Sequence, residues 1–309
     1  MPFDFAAVSA PFRMQPGLRR LAAGSPQLTP NRPGDPALRE KLGVLSAHAE
    51  TALLTAAGFD AAPALHALAA HAAAERPDAF DIDGPVWRAH HLDWSLDGTE
   101  VRGDGPAPIG ACLRALPPAS RAAALLGLAF AEDVAVIDGA SARIPWLAVC
   151  LPSHWAPEDK IGRRFAEVHA PVADNQVLLA ASDHLARLVT GADRWERFVW
   201  TVTRHPTLDQ HPKRCGGAPW PHDASVDGIA ARAYFRTERQ TFIPLPELTQ
   251  AIFTIHVEMQ PLAAAITEGA QAQRLHDAIA TMSPAVLRYR GLTDVRDRLL
   301  AWLDRRARA

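Results

Sequence analysis

Cys150-Leu-Pro-Ser-His-Trp-Ala-Pro-Glu-Asp-Lys-Ile-Gly-Arg-Arg-Phe-Ala-Glu-Val-His-Ala-Pro-Val172 reads as the end of a strand, a turn, one short helix and a hard stop. Pro157 suits a first helical position, where its missing N–H has no partner to lose. Glu158 and Asp159 follow in the first turn, where acids complement the helix dipole. Pro171 disfavours helical backbone at Ala170 and closes the run. Between these limits Ile161, Phe165, Val168 and His169 fall at helical spacing on one face. His169 is then the only polar member of an inward apolar stripe, at the last turn. Gly162 falls on a neighbouring line of the same helix, where the missing side chain lets a broad ligand approach the backbone. A histidine so placed is either a core imidazole bonded to a carbonyl or a ligand to a metal or a haem iron, for which neutral imidazole is suited.

Outward from this stretch, the chain has 309 residues, 48% of them hydrophobic and 21% charged, the profile of a soluble globular protein with a large core. A net charge of −2 gives no nucleic-acid footprint. Cys112, Cys150 and Cys215 are far apart and odd in number, so they make neither a disulfide framework nor a CxxC metal knuckle. They are also too few for an iron–sulfur cluster held by this chain alone. The first residues lack the apolar run of a secretory signal, and no stretch approaches the ~20 apolar residues of a membrane span. A cytoplasmic location is expected.

Proline and glycine over residues 1–36 predict an extended arm packed on the body through Phe3, Phe5, Phe12 and Leu18. Asp35-Pro36 opens a helix, and an Ala-rich helix follows over 60–76. Residues 81–117 read as loop-rich, with turn signals at Asp83-Gly84, Asp97-Gly98 and Gly103-Asp-Gly105. A helix over 118–130 leads to strands at 132–137 and 144–151, the second feeding the central stretch. Beyond it lie a helix over 175–190 and a strand over 195–204. The loop 205–227 holds His205, His211 and His222 at spacings that match no metal motif, so it reads as a surface loop.

Residues 231–242 and 249–259 form a strand pair. Alternation sets Tyr234, Arg236, Glu238 and Gln240 on one face of the first strand and Phe235, Thr237, Arg239 and Thr241 on the other. So charged a strand either faces solvent with its charges paired or clamps an anionic ligand. The C-terminus is helical. The whole reads as one α+β domain over 1–309, with an antiparallel sheet flanked by helices.

Four segments now fall into a family pattern: Ala131-Glu-Asp-Val-Ala-Val136; Cys150-Leu-Pro-Ser-His-Trp155; Lys160-Ile-Gly162 with Val168-His-Ala-Pro-Val172; and Arg236-Thr-Glu-Arg-Gln-Thr241 with Ala251-Ile-Phe-Thr-Ile255. Pro11-Phe-Arg-Met-Gln-Pro-Gly-Leu18 and Tyr289-Arg-Gly-Leu292 fit as well. With these residues the chain resembles the haem-dependent oxidative N-demethylase α-subunit family over nearly its whole length. The resemblance implies a PAS-like haem-binding fold with extra N- and C-terminal helices. It implies a monooxygenase that removes a methyl group from a small amine with O₂. Electrons would come from NADPH through flavin and iron–sulfur partner subunits; no GxGxxG turn opens a helix in this chain.

At the site, the resemblance makes His169 the axial ligand of haem b iron, with Gly162 beside the ring. Arg236, Arg239 and Arg163 are candidates for the propionates, and Glu238, Gln240 and Tyr234 for the oxygen and amine pocket. One departure stands out: relatives carry Arg-x-Asn-Trp where this chain has Arg204-His-Pro-Thr207. The alternative reading is a haem-based gas-binding sensor without turnover, since one fold serves many functions.

Overall fold

In the computed structural model, strands run in chain order as Arg19–Arg20 (β1), Leu53–Thr55 (β2), Phe80–Asp83 (β3), Val86–Ala89 (β4), Trp94–Asp97 (β5), Glu100–Gly103 (β6), Asp133–Asp138 (β7), Arg143–Ala148 (β8), Trp195–Thr203 (β9), Tyr234–Leu245 (β10) and Gln250–Pro261 (β11). The structure describes residue 3, residues 5–216 and residues 219–308. Residues 1, 2 and 4 of the expected arm, and 217–218 of the loop after β9, therefore lie outside it. Seven strands form one antiparallel sheet in the order β1-β9-β10-β11-β7-β8-β2, and β3 to β6 form a four-stranded meander. The fold is α+β, as the strand and helix signals require.

The β10–β11 hairpin is the spine of the large sheet, paired from Tyr234↔Pro261 to Leu245↔Gln250. Its β-branched and aromatic residues suit the pleat. Pro244 is tolerated because pairing with β9 has already ended at Phe242, so the proline meets a free edge. Register puts Arg236, Glu238 and Gln240 beside Thr201, Val199 and Arg197 of β9. This is the face set by alternation. The other face packs Val134, Val136 and Ala148 into a core with Leu45, Leu125 and Leu128.

Two buried ion clusters tie helices and strands together. Lys41, on the Pro36–Ala47 helix, is 0% exposed. Its ammonium donates to the carbonyls of Phe130 (3.1 Å) and Glu132 (2.6 Å) and lies 3.2 Å from the Asp133 carboxylate. Asp133 in turn accepts the Leu151 N–H at 2.6 Å, which fixes the start of the central stretch. The second cluster is His256 of β11, with Nδ1 at 2.7 Å from Glu132 and Nε2 at 3.6 Å from Glu258.

Burial alone would lower the His256 imidazole, but the two carboxylates outweigh it and push it up to about 9. The folded value lies above the ordinary 6.5, so this contribution is complete below 6.5 and is lost as pH rises through about 9. Glu132, held low by the same imidazolium against the effect of burial, loses its share only as pH falls through the carboxylate range. Urea unfolding is therefore expected to show a decline on the order of 2–3 kcal/mol between neutral and strongly alkaline pH. In His256→Gln that alkaline decline should shrink; an unchanged decline would assign it to other groups.

Three sequence expectations need correction. Residues 81–117 are not loop-rich: they hold most of the meander and the Ala107–Ala115 helix. The turn signals were in place, but strands of four residues are too short to display a period. The expected helix from Pro157 is broken. Pro157–Asp159 is a single 3₁₀ turn, Gly162 turns left-handed at φ +71°, and the α-helix runs only over Phe165–His169. The helix over 175–190 is likewise two, Gln176–Ala180 and Ser182–Val189. The arm does pack as expected, with Phe5 stacked on Phe235 at 5.4 Å and Phe12 edge-on to Trp200 at 5.9 Å. Among the described residues no helix is long and apolar enough to cross a membrane.

Candidate functional site

One face of the large sheet does not meet a packed core. It looks into a cavity of about 320 Å³, the size of a small-molecule site. Leu147, Val149, Phe253 and Ile255 form its sheet floor, and Met14, Pro16 and Leu18 of the arm, with Leu178, Leu185 and Val189, close over it. The polar lining is strongly biased: among the described residues Lys160, Arg197, Arg236 and Arg290 face one carboxylate, Glu238. An apolar chamber with excess positive charge fits a flat apolar ligand that carries acids.

His169 lines this cavity from the end of the Phe165–His169 helix. The helix starts where the Glu167 carboxylate accepts the Arg164 N–H at 2.7 Å, and Asn175 ties down the carbonyls of His169 and Ala170. Nδ1 of His169 lies 2.8 Å from the Phe165 carbonyl. A carbonyl only accepts, so Nδ1 carries the proton and Nε2 keeps its lone pair. Nε2 has no hydrogen-bond partner among the described residues. The Phe165 ring packs on the imidazole at 4.1 Å. Burial pulls His169 down to about 4, so the ring is neutral at pH 7. A neutral imidazole, oriented by a carbonyl behind it and open in front, is the arrangement of a metal-ligating histidine.

Residues 37–300 match the family described as haem-dependent oxidative N-demethylase, alpha subunit-like. The chain belongs to this family. The family is described as haem-dependent, oxidative and alpha subunit-like.

The residues present fit a haem. Nε2 of His169 is a free imidazole donor, the walls are apolar, and two arginines carry unmet hydrogen-bonding capacity. Arg197, on β9 beside Gln240, has an enclosed Nε with no acceptor, and its guanidinium makes no hydrogen bond among the described residues. Burial lowers it, with only the Glu238 charge in opposition. Arg290 lies over the rings of Phe12 and Trp200 at 4.7 and 5.2 Å and donates to the Trp200 carbonyl. Its Nε is also enclosed without an acceptor, and burial brings it down to about 10. Two guanidiniums short of acceptors are suited to two carboxylates. Neither was singled out from sequence. The signal for Arg197 was a charge on the same strand face as Trp195 and Val199.

The other sequence candidates divide. Glu238 and Gln240 line the cavity, on the one face that alternation gave them both. Glu238 accepts from the Ser153 hydroxyl and, at 2.6 Å, from the Gln240 amide. Arg236 also lines the cavity but is 1% exposed, with its donors committed to Ser153 Oγ (2.8 Å), the Leu208 carbonyl (2.7 Å) and the Leu151 carbonyl (2.9 Å). It positions the wall and has little left for a ligand. Arg239 points to the opposite face, bonded to Glu196 and the Pro26 carbonyl. Arg163 is exposed beyond the break at Gly162 and does not line the cavity. Gly162 closes a turn against β8 through the Ile144 carbonyl at 2.7 Å, and an added Cβ would meet only Ala56 at 3.6 Å. It lies outside the cavity lining. Tyr234 shares the parity of Glu238 but lies at the start of β10, outside the lining.

Proposed function

We propose that the chain is the haem b-binding alpha subunit of a monooxygenase that removes an N-methyl group from a small amine. The observation that carries this reading is His169: Nδ1 committed to Phe165, Nε2 open to an apolar, cationic cavity, in a chain of this family. His169 would hold the iron, and Arg197 and Arg290 the propionates. When bound, haem supplies oxygen activation, the chemistry by which an N-methyl carbon is oxidised and lost as formaldehyde.

The chain's own residues define the rest. Glu238 is the carboxylate at the cavity wall, and its two hydrogen bonds leave lone pairs able to accept an ammonium N–H. Ser153 and Gln240 fix its orientation, and Arg236 fixes Ser153. The apolar floor keeps water from the reacting carbon. Electrons would arrive from NADPH through flavin and iron–sulfur partners. The frame for this site is a PAS-like sheet within one domain, supported by strands from residue 19 to residue 261 joining one sheet.

The test is haem-loaded protein with a reductant, O₂ and a panel of N-methyl amines, read as formaldehyde and oxygen uptake. Amine-dependent formaldehyde is expected. Glu238→Gln should keep its haem and lose about 10- to 100-fold in kcat/KM, as removal of a charged hydrogen bond does. A haem protein that binds carbon monoxide but turns over no amine would favour the gas-binding reading. Wild-type kinetics in Glu238→Gln would remove Glu238 from the amine site.

A further inference from the structure

A second constellation reaches the cavity edge at His154. His154, His205 and Cys215 come from separate segments, yet one ligand atom from each lies within 4.8 Å of the other two. The two imidazole centroids are 5.2 Å apart. We propose that these three residues form a zinc-type metal site, distinct from the His169 position, with a fourth coordination position for water.

The backbone is arranged to bring these side chains together. His154 takes a left-handed conformation, φ +61°, uncommon for a residue with a side chain. It follows Ser153, which bridges to Gln210, and its N–H donates to the Gln210 carbonyl at 3.0 Å. Gln210 also donates its N–H to the Pro152 carbonyl at 3.0 Å. The 152–154 segment and the loop after β9 are thus laced together where the histidines meet. Cys215 is brought back by a turn in which its N–H donates to the His211 carbonyl at 2.9 Å. The loop histidines separate accordingly: His211 pairs with Glu158 at 3.0 Å, and His205, 9% exposed, turns to the cluster. The loop is less superficial than a plain surface loop, with His205, Gln210 and His211 buried, and its spacing could not show this cluster because the second nitrogen comes from His154, far away in sequence.

The donor chemistry agrees with the geometry. The ring of His154 has only a 3.5 Å contact with the Thr203 hydroxyl among the described residues. His154 borders the cavity and so has accessible surface, yet surrounding protein still desolvates it. Burial first, then His205 and the nearby arginines, brings it down to about 4; burial lowers His205 as well. Both rings are neutral, as a metal requires. Burial and then the Asp209 charge push the Cys215 thiol up, against smaller opposition from Arg204 and Arg236, so the thiol has to give up a proton to bind a metal. Two imidazoles and one thiolate suit borderline-soft zinc, whose bonds of about 2.0–2.3 Å place ligand atoms roughly 3.5 Å apart. Small rotamer adjustments close the present spacing to that value.

The site would pin the 204–215 loop to the segment that carries Ser153, and so hold the wall on which Glu238 rests. The experiment is elemental analysis of the full-length chain after dialysis against zinc, with cobalt(II) as the spectroscopic probe. One zinc per chain and a thiolate-to-cobalt charge-transfer band are expected. Cys215→Ser should lose the band, and His205→Ala should bind zinc at least about 10-fold more weakly. His169→Ala should retain both zinc and band, which separates this site from the haem cavity. Zinc should also raise the Tm of the parent protein but not of Cys215→Ser. Circular dichroism identifies any variant that fails to fold, and the cobalt band of the parent protein stands without the variants. Absence of stoichiometric zinc and of the band in the parent, or a band that survives in Cys215→Ser, would overturn the assignment.

Discussion

His169→Ala is expected to fold and to purify without a native Soret band, even when haem is supplied in excess. Loss of the outer partner of a ligating histidine already costs about 10–100-fold in metal affinity, so loss of the ligand itself should cost at least that. The arrangement in this chain makes the prediction specific. The Phe165 carbonyl commits Nδ1, so Nε2 is the nitrogen offered to the cavity. Added imidazole should occupy the space left by the side chain and restore part of the spectrum and of the carbon monoxide response. A core role predicts the opposite pattern: unaltered haem affinity, a lower Tm from the space left beside Phe165, and no effect of imidazole. Absorption spectra with and without imidazole, beside a thermal melt, decide between the two.

Arg236→Met is expected to be the most destabilising of the substitutions considered, by about 3–5 kcal/mol. The side chain is 1% exposed and bonds three separate parts of the chain: Ser153, Leu151 and Leu208. Methionine fills much of the volume but leaves two carbonyls without donors and Ser153, which donates to Glu238, without the guanidinium that holds it. Arg236→Lys should restore little, because an ammonium cannot reproduce the planar fork that reaches three acceptors at once. Urea unfolding monitored by fluorescence measures both. Arg236→Met within 1 kcal/mol of the parent would mean that the network is dispensable. The variant should also weaken zinc at the His154 cluster, since Arg236 holds the segment on which His154 lies.

Much of the sheet was legible in the sequence. Alternation in β10 has a period of two whatever surrounds it, so the shared face of Arg236, Glu238 and Gln240 followed directly. The role of Arg236 did not follow, because its partners at 151, 153 and 208 are set by tertiary folding. The helix expected from Pro157 failed at Gly162: the local signals for a start at 157 and an end at 170 were sound, but glycine took a left-handed turn between them. His169 remained at a helix end, with its orienting carbonyl supplied one turn back by Phe165 instead of by a longer helix. Arg290 and the pair His154–Cys215 were invisible for a common reason. Each acts with residues more than fifty positions away, and no periodicity reports such a meeting.

The cavity is walled by Met14, Pro16 and Leu18 at one extreme of the chain and by Tyr289 and Arg290 near the other. Arg290 lies over Phe12 and so joins the two. At a synthesis rate of about 5–20 residues per second, the first of these walls is made roughly 15–55 s before the last. Cofactor capture in a finished pocket would therefore follow the synthesis of residue 290. Until residue 290 has docked, His169 and the apolar floor lack the wall that Tyr289 and Arg290 supply. On the proposed function, quality of cofactor loading is then a matter of chronology: haem has to be on hand once residue 290 has been made, and a chain truncated before Tyr289 should accumulate without it.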